Sequence, residues 1–184
     1  MKNIYTLLSI LIISLTVYLS FDDLMPSSVK SIESTGFSFD NALNHLKVIS
    51  KEPHYTGSKY HQDVQNYIVN ELKKMGLETE IQNQVVLSSR RVGTNAANII
   101  GTIKGSRKGK SLVLLTHYDS SAHSSFGASD AGSGVVTILE GFRAFLLNNN
   151  TPVNDIHLVF TDAEEMGLLG AEAFVKNHKL IDNV

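Results

Sequence analysis

The chain has 184 residues with 16 basic and 18 acidic side chains, a formal charge of −2. That balance lacks the basic excess of a nucleic-acid-binding protein, so no nucleic-acid partner is expected. Cysteine is absent, which excludes a disulfide framework, a thiolate metal site and a cysteine nucleophile; 42% apolar and 18% charged residues exclude a disordered chain.

Residues 4–21 (IYTLLSILIISLTVYLSF) carry no charge, and 13 of the 18 are apolar. At about 1.5 Å per residue such a helix spans about 27 Å, enough for a bilayer core. Lys2 precedes the run and Asp22 and Asp23 follow it. The positive-inside rule therefore predicts a cytoplasmic N-terminus, with the remaining chain on the extracytoplasmic or luminal side of a membrane. A cleaved signal peptide is the competing reading of residues 1–21, although Tyr18 stands where a small-x-small cleavage site needs a small residue.

Residues 22–37 are rich in Ser, with one Pro and one Gly and no sustained period, and read as a linker. Ser38 suits the N-cap of a helix to about Ser50, with Phe39, Leu43, Leu46 and Ile49 at apolar positions. Ser58 suits a second N-cap, before Val64, Ile68, Leu72 and Met75 at helical spacing and Gly76 as the stop. Strands are predicted over 77–87 and 97–104, with a break at Arg90–Asn95 between them. The basic turn at 105–110 reads as a solvated loop. The apolar runs 111–116 (SLVLLT) and 155–161 (DIHLVFT) read as strands buried on both faces. Helices are predicted from Val135 to about Asn148 and from Leu168 to His178. Strands alternating with helices predict an α/β domain with a mostly parallel sheet.

Ligands of open α/β sheets sit at the carboxyl ends of the strands. The first buried strand ends in LLTHYDSS, giving His117 and Asp119; the second ends in VFTDAEEMG, giving Asp162, Glu164 and Glu165. Between them GASDAGSG places Asp130 in a loop entering a helix. Imidazole nitrogen and several carboxylates converging on one rim form a donor set for a divalent ion such as zinc. Residues i and i+2 of a strand face the same way, so Asp119 can support His117 from behind. Adjacent Glu164 and Glu165 can divide labour, one as ligand and one as proton acceptor. His157 is expected to be structural and His123 to face solvent in its loop; His45, His54, His61 and His178 receive no role.

The series LLTHYDS, GASDAGSG and FTDAEEMGLLGAEAF resembles the co-catalytic zinc peptidases of metallopeptidase family 28, and KEPHYTGSKYHQDVQNYIVNELKKMGLETEIQ is similar to that family's first helix and strand. With the apolar N-terminal run, the chain is most like the membrane-bound branch, which includes endoplasmic reticulum metallopeptidases, vacuolar membrane proteases and bacterial relatives. The resemblance implies a three-layer αβα fold around a mixed sheet, of the phosphorylase/hydrolase-like zinc-exopeptidase kind, and a peptide substrate. It implies His117 as ligand to one zinc, Asp130 bridging two zincs, Glu165 on the other, Glu164 as general base and Asp119 orienting His117. Ala131 stands where many relatives have Asn or Asp. The family pattern has two further ligands, an Asp some 25 to 30 residues past Glu165 and a later His. The sequence ends at Val184, so residues 38–184 are expected to be an incomplete peptidase domain, inactive alone. Two other readings are a glutaminyl-cyclase-like enzyme with a single zinc and a non-catalytic binding module on a peptidase fold.

Overall fold

The structure is a computed structural model that describes residues 2–24, 36–88, 93–123, 125–147 and 150–184. It divides into two compact units, residues 1–30 and 31–184.

The first unit carries one helix, α1 (Lys2–Leu24). Its window Ile4–Phe21 has mean hydropathy 2.1 and is long and apolar enough to cross a membrane. Its large apolar side chains, among them Leu11, Ile13 and Tyr18, stand exposed. The Thr16 hydroxyl donates to the Ile12 carbonyl at 2.8 Å, which keeps that polar group inside the helix. The predicted linker falls largely on residues 25–35, outside the described residues.

The second unit begins with α2 (Phe39–Ile49) and α3 (Lys59–Lys74), capped as predicted. The Ser38 hydroxyl accepts from the Asn41 N–H and the Ser58 hydroxyl from the His61 N–H, each satisfying a donor the first helical turn leaves orphaned. Gly76, with φ +81°, stops α3 in the left-handed conformation that costs glycine least. Strands β1 (Glu78–Leu87), β2 (Gly93–Ile103), β3 (Leu112–His117) and β4 (Ile156–Thr161) follow, with α4 (Ser133–Leu147) before β4 and α5 (Leu169–Asn177) after it. The predicted break between the first two strands lies partly on 89–92, outside the described residues, and Gly93–Asn95 already belong to β2.

The sheet has the order β1-β2-β4-β3. Alternation predicted a mostly parallel sheet. Instead β1–β2 and β2–β4 are antiparallel and β3–β4 is parallel, so the sheet is mixed. Helices α2, α3 and α4 cover one face, where Ile49, Val64, Ile68, Leu72, Val135, Leu139 and Phe142 meet Ile99, Leu158 and Phe160. Burying Ile49, Ile68 or Leu72 contributes about 1.5–3 kcal/mol each. On the other face α5 lies over β1, β2 and β4, with Phe174 against Ile100 and Val159. The layers are therefore αβα. β4 is buried on both faces, as expected. β3 is not: it holds an outer position beside β4, and Leu112 and Leu115 remain 51% and 46% exposed.

Candidate metal centre

The parallel register sets His117 of β3 opposite Thr161 of β4, so both strands deliver their next residues to one rim. Past β3, Tyr118 turns into the core, its N–H donating to the Thr161 carbonyl at 3.0 Å. Asp119 is buried, and its Oδ1 accepts from the Glu164 N–H at 3.0 Å and its Oδ2 from the Glu165 N–H at 3.2 Å. One carboxylate thus ties the end of β3 to the turn beyond β4. In that turn Ala163 has φ +54°, a left-handed conformation costing a non-glycine residue about 1–2 kcal/mol. Glycines complete the motif: a Cβ on Gly170 would lie 2.1 Å from the Asp162 carbonyl oxygen and 2.5 Å from Asn98 Oδ1, so only hydrogen fits where α5 starts against the strand ends.

His117 is held from both sides. Its Nδ1 lies 3.1 Å from the Asp119 carbonyl oxygen and 3.4 Å from Asp119 Oδ1. Its Nε2 lies 2.9 Å from Asp130 Oδ1 and 3.8 Å from Glu164 Oε2. Burial alone would lower the His117 pKa; hydrogen bonds to Asp119 and Asp130 outweigh it and raise the value to about 9. Asp130 arrives on a loop in which Gly127 takes φ +63° and the Gly132 N–H closes on the Gly127 carbonyl at 2.8 Å. At Asp130 the backbone leaves helical geometry (φ −119°, ψ 103°), the Asp130–Ala131 peptide is cis, and the side chain is 76% exposed. The Glu165 carboxyl is pushed up by partial desolvation and then by the charges of Asp130, Asp119 and Glu164.

Four acids and one imidazole therefore share one rim. Among the described residues no three such donors are gathered closely enough to grip an ion as they stand. His117 and Asp130 meet at hydrogen-bond distance, closer than the roughly 3.3 Å between two donors across a tetrahedral zinc with bonds of about 2.0 Å. The donor types nevertheless fit zinc. Nδ1 of His117 is backed by Asp119, the outer partner that metal-ligating histidines use, and Nε2 faces a carboxylate. The acids that raise the Glu165 carboxyl are a local excess of negative charge that a divalent cation would relieve.

Of the residues singled out in the sequence, Asp162 does not reach the rim. Its carboxylate is fully buried and bonded to Thr56 and His61. His157 is buried as a structural residue, its Nδ1 2.8 Å from the Thr102 hydroxyl. His123 is exposed in its loop. His54 and His61, given no role, are both buried beside the site: the His54 backbone N–H donates to the Ser120 hydroxyl, and His61 stacks on Tyr118 with ring centroids 5.0 Å apart. No spacing signals these contacts, because 101 residues separate His61 from Asp162 and 66 separate His54 from Ser120.

The αβα layers and mixed sheet are those of the zinc exopeptidases. A Zn-dependent exopeptidase from Parabacteroides distasonis superposes with a TM-score of 0.66 at 25% identity, over 78% of this chain and 57% of that one. The glutaminyl cyclase of Tannerella forsythia superposes with a TM-score of 0.67 at 26% identity, over 77% and 57%. Residues 98–184, just under half of the chain, match peptidase family M28. The vacuolar membrane protease of Schizosaccharomyces pombe is 30% identical over 174 residues, which are 86% of this chain and 19% of that protein. The chain thus spans about a fifth of the length of the curated relatives it matches.

Proposed function

We propose that the protein is a membrane-anchored, zinc-dependent exopeptidase of aminopeptidase type acting on peptides. In this reading His117 would hold one zinc and Glu165 the other, and Asp130 would serve both. Bound zinc would supply Lewis acidity, polarising the scissile carbonyl and lowering the pKa of the attacking water. Glu164 is the general base: its carboxylate takes the water proton and passes it to the leaving amine. Asp119 keeps Nδ1 of His117 occupied, so that Nε2 is the nitrogen offered to the ion, and its two bonds to the Glu164 and Glu165 amides set where those carboxyls start.

The observation that carries this reading is the convergence of His117 and Glu164, at and just beyond the ends of two parallel strands, with Asp130 from the loop before α4, in a chain whose residues 98–184 match family M28. The test is zinc stoichiometry and hydrolysis of leucine p-nitroanilide by the protein expressed from its native locus, beside its Glu164→Gln variant. Two zincs per chain, with turnover that falls at least about 100-fold in the variant, is the expected result. Normal turnover in Glu164→Gln would refute the assignment of the base.

The likeness to glutaminyl cyclases favours a second reading, in which the same rim holds one zinc and the enzyme cyclises N-terminal glutamine. One zinc with cyclisation and no peptide hydrolysis would select it. Neither zinc nor turnover would leave a binding module. Anchoring through residues 4–21 is supported by the apolar α1 and by the name of the yeast relative. The charges flanking residues 4–21 favour an extracytoplasmic or luminal site, and protease protection of sealed vesicles tests that side.

A further inference from the structure

We infer that Asp162, clamped by Thr56 and His61, is a positioning residue that fixes the Glu164–Glu165 turn together with Asp119. The inference rests on the roles proposed above for Glu164 and Glu165.

Asp162 is fully buried, and its two oxygens accept four hydrogen bonds. Oδ1 takes the Thr56 hydroxyl at 2.9 Å, His61 Nε2 at 2.8 Å and the Ala163 N–H at 2.7 Å; Oδ2 takes the Ala97 N–H at 2.9 Å. Its own N–H donates to Asn98 Oδ1 at 2.9 Å. A buried carboxylate is tolerated only where its acceptor sites are filled, and this one is filled from three elements: the segment before α3, α3 itself and β2.

The bond to the Ala163 N–H is the one that matters for the site. Ala163 sits at φ +54° immediately before Glu164, a conformation that persists only where surrounding bonds over-determine it. Asp162 supplies that determination at the Ala163 amide, and Asp119 holds the next two amides. The clamp is itself packed in place. His61 stacks on Tyr118, whose hydroxyl donates to the Ala97 carbonyl at 3.0 Å and accepts from Gln65 Nε2 at 3.4 Å. Tyr118 lies between His117 and Asp119 in the chain, so one network reaches both halves of the rim.

The test uses the protein expressed from its native locus and three substitutions: Thr56→Val, which removes one donor at nearly constant shape, His61→Leu, and His61→Gln, which restores a donor. Amide hydrogen exchange at Glu164 and Glu165 is compared with exchange at Ile81 and Ile99 in the β1–β2 ladder, without added metal. Zinc affinity is then read by chelator competition. The inference predicts exchange at Glu164 and Glu165 at least about tenfold faster in Thr56→Val and His61→Leu. Ile81 and Ile99 should be unchanged in Thr56→Val, and His61→Gln should recover part of the protection. Zinc should bind roughly tenfold more weakly in Thr56→Val and His61→Leu, as for other outer partners of metal ligands. Unchanged exchange at Glu164 and Glu165 would overturn the inference. So would equal acceleration at Ile81 and Ile99 in Thr56→Val, the sign of a purely structural role. A wild-type chain that binds no zinc, yet shows the predicted exchange pattern, would overturn the metal reading and support the positioning role.

Discussion

The Glu164–Glu165 turn hangs between two buried carboxylates, Asp119 and Asp162, whereas Asp130 rides on a loop whose own backbone sets its path. The first segment, counted from Asp162, is bonded from four other parts of the chain: Thr56, His61, Ala97 and Asn98 of β2, and Asp119. The second closes on itself through Gly127 and Gly132 and sends a largely exposed carboxylate toward His117. One wall of the rim is therefore held by buried carboxylates, and the other by a closed turn packed closely against His54, Ser120 and Leu46.

Breaking the preformed wall should cost most. Gly170→Ala drives a methyl into the Asp162 backbone and Asn98. It is expected to destabilise the fold by about 3 kcal/mol, read as a lower urea midpoint at constant m-value. Next comes the anchor of α4, the helix that follows the Asp130 loop. Glu140 is buried, accepts the Ser38 N–H at 2.6 Å and pairs with Arg143 at 2.6 Å. Burial alone would raise its pKa, but Arg143 and the Ser38 amide outweigh that and lower it. Its contribution is therefore present above the ordinary carboxylate range and lost as pH falls through the lowered folded-state value. Glu140→Ala should cost about 2 kcal/mol at neutral pH, with the deficit shrinking below about pH 4 in urea titrations.

Two substitutions at the rim sharpen the contrast between the walls. Asp119→Asn should weaken zinc binding about 10–100-fold and lower the unfolding midpoint as well, because the Glu164 and Glu165 amides lose a charged acceptor. Asp130→Asn should also weaken zinc, yet change stability by less than about 0.5 kcal/mol, since its side chain stands mostly in water. Equal losses of stability in the two variants would contradict the distinction.

Local signals were legible in the sequence. The two serine caps, the stop at Gly76 and the buried strands predicted to end at Thr116 and Thr161 follow from rules of a few residues' range; the structure has them, with the first strand running one residue further, to His117. The rim residues His117, Asp119, Asp130, Glu164 and Glu165 were legible because strand ends carry ligands and because three motifs occur in series. The pairing was not. Alternating strands and helices suit a parallel sheet, but β2 meets β4 antiparallel, a choice made by contacts some 60 residues apart. The exposure of β3 was hidden because an apolar run reads alike in a central and an outer position. Asp162 read as one more rim acid; its partners His61 and Thr56 lie more than 100 residues upstream, beyond any periodicity.

The most direct measurement is calorimetric titration with zinc of the protein expressed from its native locus, wild type against His117→Ala. A donor set centred on Nε2 of His117 predicts saturable binding by the wild type that the substitution abolishes. Equal affinity in the two proteins, or no binding by either, would contradict a metal centre on this rim.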